Sequence, residues 1–149
     1  MQMQNERTFV MIKPDAVQRG LIGNIISRFE KKGIKIVAMK LVSVSKKFAE
    51  KHYGVHKGKP FFEPTVKFIT SSPVVAMVLE GNDVIEMVRE MMGATDPQQA
   101  EVGTIRGDFG QSIGKNIVHG SDSKKTAEFE INLWFKPEEI ASYKRMDKS

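Results

Sequence analysis

The apolar run SPVVAMVLEG, residues 72–81, has turn-forming residues at both ends and no polar interruption before Glu80. A run of this kind is typical of a strand that is buried on both faces of a sheet. It predicts the third strand of the chain and places that strand in the centre of the sheet. A second apolar run, RTFVMIKP at residues 7–14, ends at Lys13 and Pro14 and predicts another buried strand.

Helices and strands alternate along the rest of the chain. The predicted helices cover residues 20–33, 46–54, 64–71, 82–93 and 121–135, and the predicted strands cover residues 7–14, 34–44, 72–81 and 116–119. A glycine-rich, irregular loop at 94–115 precedes the last strand. This order predicts a single domain over residues 1–149 of the α+β class, a ferredoxin-like split βαβ sandwich whose four-stranded antiparallel sheet is covered by helices. A doubly wound parallel sheet is the alternative.

The composition excludes several classes of function. Of 149 residues, 40% are hydrophobic and 28% are charged, as in an ordinary globular protein. The chain has no cysteine, which excludes disulfides, thiolate chemistry and cysteine-based zinc sites. The net charge of +5 favours anionic ligands such as phosphates or nucleic acid. The chain shows no apolar run of membrane-spanning length and no leader segment, so we expect a cytoplasmic protein without a membrane partner.

A histidine and a carboxylate are expected to meet near the C-terminal helix. His119 ends the strand NIVH, and Glu130 falls within the apolar stripe of the helix that follows. A carboxylate in that position can bind one imidazole nitrogen and leave the other free as a nucleophile or base. An unremarkable glutamate at the edge of the stripe is the alternative. His52 and His56 stand among lysines and glycines and are expected to be solvated, and the spacing of the three histidines does not predict a zinc site.

Cations from separate segments could form a phosphate site. Lys13 ends a buried strand, and Arg106 is a lone cation in the glycine-rich stretch GTIRGDFG, residues 103–110, where backbone amides can approach an anion. With Arg89 and Thr95 these residues form a possible phosphate cradle. The segment GQSIGKN, residues 110–116, is not a Walker loop, because only three residues separate its glycines and an asparagine stands in the Ser/Thr position.

Two adjacent phenylalanines lie in GKPFFEP, residues 58–64. We expect one ring to be buried and the other to be partly exposed. Either both rings anchor the loop against a helix, or the exposed ring forms a shelf on which a flat heterocycle stacks.

Five segments, in order along the chain, resemble the nucleoside diphosphate kinase family. They are IKPDAVQRG, KPFF, SPVVAMVLEG, GTIRGDFG and NIVHGSDS, and the resemblance extends from about Glu6 to Glu139. It implies the ferredoxin-like fold and a reversible transfer of the γ-phosphoryl group from a nucleoside triphosphate to a nucleoside diphosphate. The reaction would use Mg²⁺, held mainly through the nucleotide phosphates and not by protein ligands. It would pass through a phosphohistidine in a ping-pong mechanism.

The resemblance also implies roles for individual residues. His119 would be the nucleophile, oriented by Glu130 and supported by Ser121, with Tyr53 beside it. Lys13 would contact the transferred phosphoryl group and the sugar 3′-hydroxyl. The remaining nucleotide contacts implied are Asn116 at the 3′-hydroxyl, Arg89, Thr95 and Arg106 at the phosphates, and Phe61 stacked on the base.

The sequence departs from the family pattern at two positions. Thr65 stands where the family usually has leucine on the wall that packs against the base, and Ala16 replaces a common glycine. The resemblance further implies a homo-oligomer, with a hexamer favoured over a tetramer. A basic, ferredoxin-like module that binds nucleic acid is the alternative function, although the chain lacks the aromatic signature of RNA-recognition domains.

Overall fold

The computed structural model describes residues 5–147, and its four strands form one antiparallel sheet in the order β2-β3-β1-β4. The strands are β1 (Asn5–Ile12), β2 (Lys35–Val42), β3 (Val74–Asn82) and β4 (Val118–Gly120). The helices are α1 (Pro14–Gln18), α2 (Ile22–Lys31), α3 (Lys46–His52), α4 (Phe62–Ile69), α5 (Val84–Met92), α6 (Ile105–Phe109) and α7 (Lys124–Trp134). Short 3₁₀ helices cover Gly54–His56 and Pro137–Glu139.

The predicted fold is confirmed. Strand β1 pairs antiparallel with both β3 and β4, and β2 pairs antiparallel with β3, with a β-bulge between Ile36 and Ala38. The alternative of a doubly wound sheet required parallel neighbours, and these pairings rule it out. The apolar run of β3 lies inside the sheet, as predicted for the third strand.

Strand β1 is apolar on both sides because helices cover both faces of the sheet. Phe9 and Met11 belong to one core, which α3, α4 and α7 complete. Val10 and Ile12 belong to the other core, which includes buried residues of α2, α5 and α6. RNA-recognition domains bind nucleic acid on an open sheet face, and the described part of this chain leaves neither face of β1 open. The nucleic-acid alternative is therefore not favoured.

Two short helices were not predicted. Pro14 stands at the first turn of α1, a position where proline suits a helix, but five residues are too few to produce a periodic apolar pattern. Helix α6 lies inside the segment 94–115, which was expected to be irregular throughout, and that expectation is wrong for Ile105–Phe109. Ala16 is buried within α1, so its backbone is helical and the departure from glycine causes no strain.

Within residues 5–147, no helix is both long enough and apolar enough to span a bilayer.

Candidate active site

His119 lies in the middle of β4, where its backbone is paired with Met11 of β1. Its side chain is 24% exposed, so solutes can reach a ring whose main chain is fixed by the sheet. The predicted strand began at residue 116, but β4 begins at Val118 because the chain turns sharply at the preceding residue.

Glu130 lies on the buried side of α7. The helix begins after Ser123, whose hydroxyl accepts a hydrogen bond from the N–H of Thr126 and so satisfies one of the free amides of the first turn. The buried residues of the helix are Ala127, Glu130, Ile131 and Trp134. The sequence predicted this carboxylate within the apolar stripe, and the structure agrees.

Glu130 holds the ring of His119 by one nitrogen. Nε2 of His119 lies 3.1 Å from Oε1 and 2.9 Å from Oε2 of Glu130. The hydroxyl of Ser121, which is fully buried, donates to Oε1 at 2.5 Å. A carboxylate can only accept, so the proton of the neutral imidazole is on Nε2. Nδ1 therefore carries the free lone pair.

His52 is buried beside this pair, and the expectation that it is solvated is wrong. Its side chain is 1% exposed, and Nε1 of Trp134 donates a hydrogen bond to its Nδ1 at 2.9 Å. Its Nε2 lies 3.5 Å from Oε2 of Glu130. Burial holds the pKa of His52 well below its usual range, and repulsion by the protonated forms of His119 and Lys13 adds to this effect. His56 is also not free in solvent, because it is partly buried next to the ring of Phe61.

The ligand atoms of His52, His119 and Glu130 lie within 4.8 Å of one another, as in a metal centre. The hydrogen bond from Trp134 decides against one. The indole N–H only donates, so Nδ1 of His52 must accept and Nε2 must carry the proton. A protonated nitrogen has no lone pair for a metal, and the cluster is better described as a chain of hydrogen-bonding groups.

A cavity of about 530 Å³ opens in front of His119. Most of the predicted site residues line it, namely Lys13, Tyr53, Arg89, Thr95, Arg106, Asn116, His119 and Glu130. Ser121 lies behind Glu130 and does not line the cavity. Phe61 is not among the lining residues either.

Lys13 lies at the point where β1 ends and α1 begins. Its Nζ donates to Oδ1 of Asn116 at 2.8 Å. Burial, and to a lesser extent the positive charge of Arg106, lower the pKa of Lys13 to about 8, while Asp15 acts in the opposite direction. Because burial makes the charged form of Lys13 unfavourable, an anion bound in the cavity would stabilise that charge strongly.

Arg106 is buried and is tied to the backbone on three sides. Its guanidinium donates to the carbonyls of Gly93 at 3.0 Å and Val118 at 2.7 Å, and more weakly to Asn116 at 3.3 Å. Burial lowers its pKa to about 10, helped by the charge of Arg89. Among residues 5–147, the guanidinium of Arg89 makes a single long hydrogen bond, 3.4 Å to the carbonyl of Gly120, so it is available to a ligand.

A strained turn connects these residues to His119. Ile117 has φ of 78°, and the N–H of Val118 donates to the carbonyl of Asn116 at 2.8 Å, which closes a γ-turn of the rare kind with positive φ. The N–H of Ile117 donates to Oδ2 of Asp15 at 3.1 Å. The side-chain amide of Asn116 also donates to the carbonyl of Thr95 at 3.0 Å.

Tyr53 follows α3 and packs edge-on against His52, with ring centroids 4.6 Å apart. Burial raises the pKa of its hydroxyl, and the nearby charge of Glu130 raises it further. The side chain is therefore a neutral hydrogen-bonding group in the wall of the cavity.

The two phenylalanines divide as predicted. Phe62 is 4% exposed and belongs to the core, and Phe61 is 49% exposed. The ring of Phe61 is 5.1 Å from that of His56, which lines the cavity. The hydroxyl of Thr65 donates to the carbonyl of Phe61 at 2.7 Å, so it is already satisfied by the backbone of its own helix.

The sequence analysis missed one side of the cavity. Four residues that begin at the turn before α7 and continue along it also line the cavity: Asp122, Lys125, Thr126 and Phe129. Their spacing follows one helical face next to that of Glu130, so a helical projection that placed Glu130 could have found them.

Known proteins resemble this chain over most of its length. The sequence model of the family described as "Nucleoside diphosphate kinase" matches residues 6–140. A nucleoside diphosphate kinase from Carboxydothermus hydrogenoformans is 61% identical over 140 residues, covering 94% of both chains. One from Pyrococcus furiosus is 62% identical over 141 residues, covering 93% of this chain and 88% of its own.

Solved structures give the same result. The halophilic nucleoside diphosphate kinase from Halobacterium salinarum, determined in complex with CDP, superposes with a TM-score of 0.94 at 51% identity and covers 96% of this chain and 95% of its own. Sequence and structure thus agree over nearly the whole chain, and the chain belongs to the nucleoside diphosphate kinase family of phosphotransferases.

Proposed function

We propose that this kinase transfers its phosphoryl group through Nδ1 of His119. The observation that carries the proposal is that the two nitrogens of the imidazole ring have different environments. Nε2 is bound to Glu130, and Nδ1 is left with a lone pair beside a cavity that contains Lys13 and Arg106. A neutral imidazole is a competent nucleophile near neutral pH.

The transfer has two half-reactions. In the first, the lone pair on Nδ1 forms a bond to the γ-phosphorus while the bond from that phosphorus to the β–γ bridging oxygen breaks, and the nucleoside diphosphate leaves with the electron pair. In the second, a terminal phosphate oxygen of another nucleoside diphosphate attacks the phosphorus and the N–P bond breaks. The lone pair returns to Nδ1, so His119 is regenerated.

The cations compensate the charge that the phosphoryl group carries. Phosphoryl transfer requires mainly positioning and electrostatic stabilisation from the protein. We assign Lys13 to the transferred group and the sugar 3′-hydroxyl, together with Asn116, to which it is hydrogen bonded. We assign Arg89, Thr95 and Arg106 to the other phosphates. Tyr53 is assigned to the wall beside His119, where its neutral hydroxyl can donate.

Phe61 is proposed to stack on the base. Its ring is half-exposed and lies next to His56, which lines the cavity, and this position supports the role. Stacking does not read the edges of a base, so we expect the enzyme to accept nucleotides of every base.

Mg²⁺ is proposed to enter with the nucleotide and to be held mainly by its phosphates. The side chains fit that arrangement, because Glu130 is occupied by His119 and Ser121, and Lys13, Arg89 and Arg106 would repel a bare cation. When bound, the ion supplies further compensation of phosphate charge.

The chain is proposed to act as a single domain, as a homo-oligomer and in the cytoplasm, where its nucleotide substrates are found. Two exposed apolar side chains support contacts between copies: Met39 is 54% exposed and Leu41 is 64% exposed, both on the edge strand β2. A hexamer is favoured over a tetramer. Light scattering would measure six or four times the chain mass of 16.8 kDa.

The test is phosphorylation in the absence of an acceptor. Incubation with γ-labelled ATP and Mg²⁺ should give a protein-bound label that is acid-labile and alkali-stable, and addition of a nucleoside diphosphate should remove it as triphosphate. His119→Ala should abolish the label, while the control His56→Gln, in the same cavity, should retain it. Persistence of the label in His119→Ala would refute the assignment of the nucleophile.

A further inference from the structure

We propose that His52 is a positioning residue for the transfer step, which it controls by donating its Nε2–H to Oε2 of Glu130. The proposal rests on the function proposed above, in which His119 carries the phosphoryl group. His52 touches neither the nucleotide nor the phosphorus, and acts through the carboxylate that holds His119.

The tautomer of His52 is fixed from behind. Trp134 donates its indole N–H to Nδ1 at 2.9 Å, so the only proton of the neutral ring is on Nε2. The ring is almost fully buried, and burial keeps it neutral. Trp134 and Glu130 are one helical turn apart on α7, so a single helix presents both the donor and the carboxylate to His52.

Glu130 offers an acceptor for the proton on Nε2. In the part of the chain that the structure describes, Nε2 is buried without a hydrogen-bond partner at normal distance, and Oε2 of Glu130 lies 3.5 Å away. An N–H···O bond is usually roughly 2.7–3.2 Å long. Hydrogen bonds at active sites are often long without substrate and shorten as the reaction proceeds. A small rotation of the Glu130 carboxylate would complete this bond.

The hydrogen bond from His52 would be made to the same carboxylate oxygen of Glu130 that binds His119 most closely. Oε2 is the nearer acceptor of the proton on Nε2 of His119, at 2.9 Å. When Nδ1 bonds to phosphorus, the ring becomes cationic and its Nε2–H becomes more acidic. A second donor on Oε2 makes that oxygen less basic, so the proton stays on His119 and does not move to Glu130.

The position of this proton sets the fate of the phosphohistidine. With the proton on Nε2, the imidazole leaves phosphorus as a neutral ring. If the proton moved to Glu130, the phosphorylated ring would be neutral and would have to leave as a more basic, poorer leaving group. His52 therefore favours return of the phosphoryl group to a nucleoside diphosphate.

A matched pair of variants separates the two hydrogen bonds of His52. In His52→Asn, the amide oxygen takes the place of Nδ1 and can accept from Trp134, but no donor reaches Glu130. In His52→Gln, the amide nitrogen takes the place of Nε2 and can donate to Glu130, while the acceptor for Trp134 is lost. A role in core packing alone predicts that both variants are affected in the same way.

The measurement is rapid-quench kinetics of both half-reactions on the full chain, together with the equilibrium between free and phosphorylated enzyme at fixed ATP and ADP. For His52→Asn we expect that equilibrium to shift towards phosphoenzyme roughly threefold to tenfold, because discharge to ADP slows more than formation. The dissociation constant for ADP should not change, and His52→Gln should stay close to wild type. Equal slowing of both half-reactions, or equal effects of the two variants, would overturn the proposal.

Two further readouts keep the test independent of folding and of the nucleophile. In the wild-type protein, ¹⁵N NMR of His52 should show Nε2 protonated and Nδ1 unprotonated, and the opposite tautomer would overturn the proposal even if a variant failed to fold. Stoichiometric binding of Zn²⁺ that His52→Asn abolishes would also overturn it, since a metal needs the lone pair. Failure of the proposed function itself is seen separately, as label that survives in His119→Ala.

Discussion

The carboxylate of Asp15 binds the backbone of Ile117. Its Oδ2 accepts the N–H of Ile117 at 3.1 Å, and the N–H of Lys13 donates to the carbonyl of Ile117 at 2.9 Å. Both polar backbone groups of the strained residue are thus satisfied by the segment that follows β1. The γ-turn that leads to His119 is held in place by residues about a hundred positions earlier in the chain.

The hydrogen bond from the N–H of Ile117 to Asp15 acts as a clamp on the γ-turn, and its loss should destabilise the protein. We expect Asp15→Ala to lower the free energy of unfolding by ~2–3 kcal/mol, because a buried charge-assisted hydrogen bond is lost and the amide of Ile117 is left without a partner. Urea denaturation measures the change. Glu90→Ala removes an exposed carboxylate and should have little effect, so equal losses in the two variants would argue against the clamp.

Glu130→Gln should separate turnover from binding. The amide keeps the size of the side chain but weakens its hold on Nε2 of His119, so we expect kcat to fall by ~10²-fold or more, in the range of a lost transition-state interaction. The dissociation constant for ADP, measured by calorimetry, should stay nearly unchanged. A large loss of ADP affinity would mean that Glu130 mainly supports the structure of the cavity.

Replacement by lysine should have different effects on protein stability at Arg106 and at Arg89. Arg106→Lys replaces the guanidinium fork by a single nitrogen that cannot reproduce both bonds to the carbonyls of Gly93 and Val118, and we expect a loss of about 2 kcal/mol in unfolding free energy together with weaker nucleotide binding. Arg89→Lys should weaken nucleotide binding and leave stability nearly unchanged, because Arg89 is bound to the described part of the chain by a single hydrogen bond of 3.4 Å. Thermal unfolding and calorimetry on both variants measure this contrast, and similar loss of stability in both would contradict it.

Nucleotide affinity should depend on the charge of Lys13. With its pKa near 8, Lys13 is charged at pH 7 and mostly neutral at pH 9 in the empty cavity. If binding requires the charged form, the dissociation constant for ADP should rise about tenfold between these pH values. Lys13→Arg keeps its charge and should flatten that rise, so parallel curves for the two proteins would exclude Lys13 as the cause.

The same group affects stability in a defined direction. The folded chain releases the proton of Lys13 near pH 8, and the unfolded chain releases it near 10.5. The contribution of Lys13 to stability therefore increases as the pH rises from about 8 to about 10.5.

Replacement of Phe61 should weaken the binding of all nucleotides to a similar extent. We expect Phe61→Ala to reduce affinity for ADP, GDP and CDP by a similar factor, equivalent to ~1 kcal/mol, because half of the ring is exposed before the base arrives. Phe129→Ala is a matched control, since Phe129 is 51% exposed and lines the cavity from α7. A larger effect of Phe129→Ala would move the stacking site to that ring.

The sheet could be predicted because its signals are local. The apolar runs of β1 and β3 report burial on both faces, and glycine and asparagine residues mark the ends of α2 and α5. The helices α1 and α6 were missed because five residues give no periodic signal. Their formation depends on neighbours, as when the hydroxyl of Thr104 caps α6 by accepting from the N–H of Gly107.

The position of a site residue could be predicted where its environment is formed by residues close to it in sequence. Glu130 stands among apolar residues of its own helix, and its burial followed from helical geometry. His52 stands among lysines, and what buries it is Trp134, which lies 82 positions later. The positive φ of Ile117 could not be predicted from the sequence either, because β-branched residues rarely adopt that conformation. Its energetic cost is offset by the hydrogen bonds to Lys13 and Asp15, which are distant in sequence.

The central place of β1 has a consequence for how the protein is made. The ribosome produces β1 first, yet its partners are residues 74–82 and 118–120. At 5–20 residues per second, the nascent chain waits roughly 5–20 s before β4 exists. Until then the run of Phe9 to Ile12 lacks a neighbour on one edge, and we expect this unpaired apolar edge to be the segment of the growing polypeptide most prone to aggregation.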